Sequence, residues 1–414
     1  MPLGPSQPWE TVREDLINRK KGDYAWKEGR LPSYIYFHND ELLEKQREAY
    51  GLYLVENGLG KGRAFPSLKI MEDEIFEMSI SLLGGGANAD AIFASGGTES
   101  IMIAVKAARE RARTRPELIA PYKIVLSETA HPAFNRAAHL MDIEVVRLPM
   151  DPDSYRADVA AIEAAIDEHT IMLVGSAPHY ASGTFDPIPE LAALAQKRGL
   201  WMHVDACVGG FLAPFARMNG HHIPDMDLSV PGVTSLSADI HKYGFAAKGA
   251  SLLLFANKAD RAFGTFAFTW ARGTYATDSM QGTRAGGSVA CAWAMMKHLG
   301  IDGYRELAAI TIDTTKRLTD GIDAIKGLKT VRPFELCLFS YCSEDPELDI
   351  NAVADAMETR GWFIGRSQRP CPSIQMAVNP VHDKATERYL NDLADSAAEV
   401  YRTNAKGEFI DGTY

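Results

Sequence analysis

Two lysines, Lys242 and Lys248, sit in the stretch SADIHKYGFAAKG (237–249), among Ala, Gly, Tyr and Phe and just before the apolar run ASLLLF. Lysine is ordinarily a solvated surface residue. An amine kept partly dry can form a Schiff base with a carbonyl compound, because desolvation favours its neutral, nucleophilic form. The competing reading is a loop lysine whose stem lies on apolar surface while its ammonium reaches water. Upstream, HVDAC (203–207) ends an apolar run on Asp205. A carboxylate there costs desolvation unless a cation meets it; a protonated ring nitrogen is one such partner, and a loop to be capped is the alternative. SGGTES (95–100) sets two glycines ahead of a helical pattern. The backbone can turn sharply there, Thr98 can cap the helix, and the exposed N–H groups can cradle an anion. It is neither a Walker loop nor GxGxxG, and a plain glycine turn is the competing reading. His131, in ETAHPAF, follows the run KIVLS, where its ring can stack on a flat cofactor or simply open a helix at Pro132. His221 and His222 lack any accompanying ligand spacing and read as a solvated loop rather than a metal site.

Such residues need strand ends and helix starts to bring them together. From about 65 to 310, short apolar runs alternate with amphipathic stretches: ADAIFAS before TESIMIAVKAARERAR, KIVLS before HPAFNRAAHLM, EVVRL before YRADVAAIEAAIDEH, TIMLVGSA before IPELAALAQKRG, then WMHVDA and ASLLLF. Apolar runs without polar alternation, separated by helices, predict an α/β fold with a mostly parallel sheet covered on both faces. SGGTES, HVDAC and ADIHKYG all fall where strands of such a sheet end, the place ligands occupy. Residues 1–60 read as a Pro-containing arm and a helix (NDELLEKQREAYGLYLVENG), 61–311 as the large domain, and 312–414 as a small α+β domain.

The chain has 414 residues, 54 acidic against 43 basic, for a formal net charge of −11. That balance argues against nucleic acid or an anionic membrane as the main partner. No apolar run has the length of a signal peptide core or a membrane span, so no membrane anchor is expected. Cys207, Cys291, Cys337, Cys342 and Cys371 are odd in number and contain no CxxC, which predicts reduced thiols in a cytoplasmic protein.

The order SGGTE, His, HVDA, HK resembles the fold-type I pyridoxal-phosphate enzymes, specifically the group II decarboxylase superfamily. FPSLKIMEDEIFEM, ASGGTESIMIAVKAARERA, ETAHPAFNRAAHLMDIEVVRLP, HVDACVGGFLAPF, SLSADIHKYGFAAKGASLLLF and QGTRAGGSVACAWAMMKHLGIDGY are similar to the sphingosine-1-phosphate lyase family, in its soluble bacterial form, over about 30–410. The resemblance implies a three-layer fold-type I sandwich with pyridoxal 5'-phosphate as cofactor. It implies Lys242 as the Schiff-base lysine, Asp205 on the pyridine nitrogen and His131 stacked on the ring. His241, Gly97 and Thr98 would hold the cofactor phosphate. Gly282 and Thr283 would complete the phosphate site of a neighbouring subunit, making a homodimer the working unit. Lys248 and Tyr36 match residues of the catalytic pocket, Lys248 on a substrate phosphate. The implied reaction is retro-aldol cleavage of a (phosphorylated) 2-amino-3-hydroxy amine to an aldehyde and an ethanolamine-type amine; an amino-acid decarboxylase is the alternative. Two positions depart from the family pattern. Gly60 stands in place of a phosphate-binding histidine, with Lys61 and Arg63 as nearby cations that either replace it or are solvated surface. Ser182 stands where a tyrosine or histidine acts near the scissile bond, with Tyr180 close by in sequence to compensate or merely to pack.

Overall fold

The computed structural model describes residues 3–369 and 371–410. Its centre is a seven-stranded sheet of β1 (Asp90–Ala94), β2 (Lys123–Ser127), β3 (Glu144–Leu148), β4 (Thr170–Ser176), β5 (Trp201–Asp205), β6 (Ser235–Ala238) and β7 (Ser251–Phe255). The spatial order is β1-β7-β6-β5-β4-β2-β3. Every pairing is parallel except those of β7, which runs antiparallel to β1 and β6.

The strands are apolar at successive positions because both faces of the sheet are covered, and side chains alternate between two cores. Ile92 and Ala94 of β1, Ile124 and Leu126 of β2, and Leu253 and Phe255 of β7 enter one core with helices Gly97–Ala112 and Ala133–Met141. Ala91, Phe93, Val125, Leu252 and Leu254 enter the other, with helices Pro66–Leu82, Ile188–Arg198 and the first part of Gly286–Asp323. The outcome is the expected three-layer α/β sandwich.

A two-stranded hairpin, β8 (Phe266–Trp270) with β9 (Gly273–Thr277), projects from the large lobe. A second sheet, in the order β10 (Leu328–Thr330), β11 (Leu338–Ser343), β13 (Ser373–Ala377), β12 (Gly365–Ser367), is antiparallel throughout and packs on helices Ile350–Thr359 and Thr386–Thr403. The helix Gly286–Asp323, broken at Gly300, runs through positions 311 and 312 and contacts both lobes.

Three local differences from the sequence pattern have physical causes. β6 reads SLSA and is too short and polar to stand out, yet it is fully buried, and Ser235 Oγ accepts from Trp201 Nε1 at 2.8 Å. The stretch YRADVAAIEAAIDEH is helical only over Val159–Ala164. Asp158 caps the Ala160 and Ala161 amides there, and Asp167 turns the chain by accepting from the amide of His169. The β8–β9 hairpin carries Phe266, Phe268 and Trp270 exposed, so no burial pattern marked it.

Candidate active site

The carboxyl ends of β1, β2, β4, β5 and β6 open onto one cavity of about 540 Å³, lined by segments 95–99, 176–180 and 205–208 together with His131, Asp239, His241, Lys242, Lys248, Tyr34 and Tyr36. Strand ends collect these side chains because parallel strands place their carboxyl termini along one edge.

The lysine loop is anchored on three sides. Tyr243 Oη donates to Val378 O at 2.6 Å, Tyr304 Oη donates to Gly244 O at 2.9 Å, and the Gln46 amide donates to Phe245 O. Phe245 is buried with φ 53°, an uncommon region for a bulky residue, so packing holds the loop in a conformation it would not choose alone. The loop presents Lys242 beside Asp239, with Nζ 2.9 Å from Oδ2 and the lysine side chain 24% exposed. The expectation of a neutral amine is corrected here. Burial lowers the Lys242 pKa, but its surroundings, the Asp239 carboxylate foremost, together more than offset that and hold the ammonium well above its ordinary range. Asp239 carried no signal in the sequence beyond its place three residues before the lysine.

Asp205 closes β5, and its Oδ1 accepts from the Cys207 amide at 3.1 Å and from Ser237 Oγ at 3.3 Å. His131 Nδ1 accepts from the Ala133 amide at 3.1 Å, and burial lowers its pKa. Lys248 stands 5.0 Å from the Tyr36 ring centroid, and Tyr36 packs edge-on to Tyr243 at 4.9 Å. Burial, then the charge of Lys242, brings Lys248 down to about 8, while burial raises the Tyr36 phenol.

Gly96 is the N-cap of the helix Gly97–Ala112, with no side-chain cap; Thr98 is its second residue, so it supplies an amide rather than the cap expected of it. A Cβ at Gly97 would lie 2.6 Å from Cys207 Sγ and 3.0 Å from Asp239 Oδ2, which is why only glycine fits. Other expected residues lie elsewhere. Lys61 is paired with the buried Glu72, and Arg63 is exposed, so neither restores an anion site in this cavity. Ser182 is buried against Thr184, 3.0 Å between hydroxyls, and does not line the cavity; Tyr180 does. Gly282 and Thr283 are exposed and outside it. His221 and His222 are exposed.

The donor set fits pyridoxal phosphate. His241 Nδ1 and Asp239 Oδ1 are buried at the cavity without hydrogen-bond partners, and the uncapped helix amides form an anion cradle beside His241. Lys242 would be the amine for covalent attachment, and Asp205 the carboxylate for the ring nitrogen. Fold and site together define an enzyme that works with pyridoxal phosphate.

A model described as the pyridoxal-dependent decarboxylase conserved domain matches residues 66–343. The chain is 36% identical over 409 residues to sphingosine-1-phosphate lyase of Dictyostelium discoideum, covering 97% of this chain and 75% of that one. It is 37% identical to the lyase of Oryza sativa, covering 94% and 72%. A solved sphingosine-1-phosphate lyase of Burkholderia pseudomallei superposes with a TM-score of 0.91 at 34% identity, covering 97% and 93%. Glutamate decarboxylase of Lactobacillus brevis, at 19% identity and a TM-score of 0.85, shares the fold. The chain belongs to the pyridoxal-dependent decarboxylase family, within its sphingosine-1-phosphate lyase branch. It is a pyridoxal-phosphate-dependent lyase.

Proposed function

We propose that the enzyme cleaves the Cα–Cβ bond of a phosphorylated 2-amino-3-hydroxy amine, releasing an aldehyde and phosphoethanolamine. The observation that carries this is a second cation, Lys248, at the same cavity as Lys242 and next to a smaller cavity of about 240 Å³ that it shares with Arg284 and Ser288. Arg284 Nε is buried without a partner there, while its Nη1 donates to Phe93 O at 3.1 Å and lies 3.9 Å from Glu72, and its Nη2 donates to Gly58 O at 3.3 Å. Lys248 supplies charge for a phosphate in a chain where Gly60 replaces the family's histidine.

When bound, pyridoxal phosphate supplies an electron sink conjugated to the substrate's amine. Lys242 would hold it covalently, Asp205 would favour protonation of its ring nitrogen, and His131 would pack against the ring. His241 and the Gly97 and Thr98 amides would take its phosphate. Lys248 holds the substrate phosphate. Tyr36, kept protonated by burial, is a hydrogen-bond donor at the bond-breaking end.

The working unit is a homodimer in which Gly282 and Thr283 complete the partner's phosphate site. Their exposure, beside a hairpin presenting Phe266, Phe268 and Trp270 to solvent, supports this reading. Among the described residues no helix is long and apolar enough to cross a membrane, and all five cysteines are free, which supports a reducing, cytoplasmic setting.

The decisive experiment supplies a phosphorylated long-chain 2-amino-3-hydroxy amine and, separately, a panel of amino acids. Aldehyde release by the wild-type protein, lost in Lys242→Ala together with the borohydride-sensitive visible band, is the expected result. Carbon dioxide from an amino acid, with no aldehyde from the amine, would overturn the proposal in favour of decarboxylation.

A further inference from the structure

Glu99, in the first turn of the helix Gly97–Ala112, borders the cavity but has none of the roles above. It is only 6% exposed. A buried carboxylate is costly unless its oxygens are satisfied, and no cation among the described residues does this for Glu99. Three donors do instead. Its Oε2 accepts from the Ser95 amide at 2.6 Å. Its Oε1 accepts from Ser279 Oγ at 2.6 Å and from the Met280 amide at 2.7 Å. Burial works to raise its pKa, and these hydrogen bonds more than offset that, so it stays ionised.

The two oxygens therefore grip two separate segments. One is the turn leading into the helix whose first amides form the phosphate cradle. The other is the start of the run 279–283. The same segments touch once more, where Gln281 Nε2 donates to Ser95 Oγ at 3.3 Å, and the Gln281 amide stiffens the run by donating to Ser279 Oγ at 3.0 Å. Immediately after Gln281 come Gly282 and Thr283, exposed and outside their own chain's cavity.

We infer that Glu99 is a positioning residue that couples the two cofactor sites of the dimer, locking the phosphate cradle of its own subunit to the segment that completes the partner's cradle. This rests on the shared-site reading proposed above. A carboxylate suits the role because it offers acceptors at both ends. A glutamine keeps one carbonyl oxygen, enough for Ser279 and Met280, but turns an NH2 toward the Ser95 amide, donor against donor.

Hybrid dimers test the coupling. One subunit carries Lys242→Ala together with Glu99→Ala, so only its wild-type partner can bind the cofactor covalently. The readout is the cofactor dissociation constant of that wild-type site, titrated by its visible band, against a Lys242→Ala/wild-type hybrid. We expect a rise of about tenfold or more although the titrated subunit keeps its own Glu99. With Glu99→Gln in the same hybrid the constant returns close to the control, whereas the Glu99→Gln homodimer binds cofactor more weakly than wild type. Hydrogen exchange of the cofactor-free Glu99→Ala protein is expected to speed up at 278–283 and to stay unchanged across the central sheet.

An unchanged constant in the Glu99→Ala hybrid would overturn the coupling. So would a Glu99→Gln protein that is impaired equally, or not at all, in both settings, which keeps the test valid if Glu99→Ala fails to fold. A third hybrid, Lys242→Ala with Thr283→Asp, separates the two ideas by setting a negative charge against the partner's phosphate. If that hybrid also binds normally, the shared-site reading itself is wrong; if it weakens while the Glu99→Ala hybrid does not, only the coupling fails.

Discussion

At the scale of single residues, the two lysines of the opening stretch have opposite electrostatic surroundings. Lys242 has a carboxylate at 2.9 Å, and Lys248 has burial and a neighbouring ammonium. Burial, then that ammonium, brings Lys248 down to about 8 while Lys242 carries no cofactor. If its ammonium holds the substrate phosphate, kcat/KM falls as pH rises through the Lys248 pKa, because the free enzyme loses that charge. Lys248→Arg keeps the charge and moves the falling limb above the accessible range. Lys248→Ala removes the limb and lowers kcat/KM about 10- to 100-fold, the worth of one charge-assisted hydrogen bond. A pH–rate profile decides the matter, and a limb that rises through that pKa would instead mark the neutral amine as a base.

At the scale of elements, the junction of β1 with the helix Gly97–Ala112 tolerates no side chain. In Gly97→Ala the new methyl group meets Cys207 Sγ, which lies 3.3 Å from Ser237 Oγ and has little room to retreat. Overpacking of this kind costs roughly 1–3 kcal/mol. Here it falls on the cradle and on Asp239, so cofactor affinity drops about tenfold or more by spectroscopic titration. Adding Cys207→Ala removes the closest clash and restores part of the affinity. Full affinity in Gly97→Ala alone would show that the cradle is not where the cofactor phosphate sits.

At the scale of the whole molecule, two neutral histidines tie the fold's stability to pH. His203, inside β5, and His382, in the turn before the last helix, are each lowered to about 4, with burial as the leading cause. His203 Nδ1 lies 2.8 Å from Ser235 Oγ, and His382 Nδ1 accepts from the Asn379 amide at 3.0 Å. The unfolded chain protonates both below about 6.5, whereas the folded protein resists until about 4. Stability contributed by this pair is thus complete above about 6.5 and lost as pH falls toward 4, by about 3 kcal/mol for each histidine. Urea midpoints at pH 7 and 4.5 measure the loss, and His382→Gln is expected to reduce the pH dependence by about half.

What the sequence determined is local and ordered. Unbroken apolar runs such as KIVLS, TIMLVGS and SLLLF announced a sheet buried on both faces, and the motif order put Gly97, His131, Asp205 and Lys242 at strand ends that converge on one cavity. What only the tertiary structure decided concerns pairs distant along the chain. Asp239 shared a quoted stretch with Lys242, yet the 2.9 Å approach that keeps the amine charged depends on how the loop after β6 closes. Lys61 looked available for a phosphate until the fold paired it with buried Glu72, and Arg284 came to line the small cavity beside Lys248 by the same folding. Glu99 and Ser279 are 180 positions apart, and no spacing rule connects them. Patterns of burial repeat along a chain and can be read from it, whereas a charge takes its partner from whatever the packed fold brings near. The lysines of SADIHKYGFAAKG could therefore be found in the sequence, but their protonation states could not.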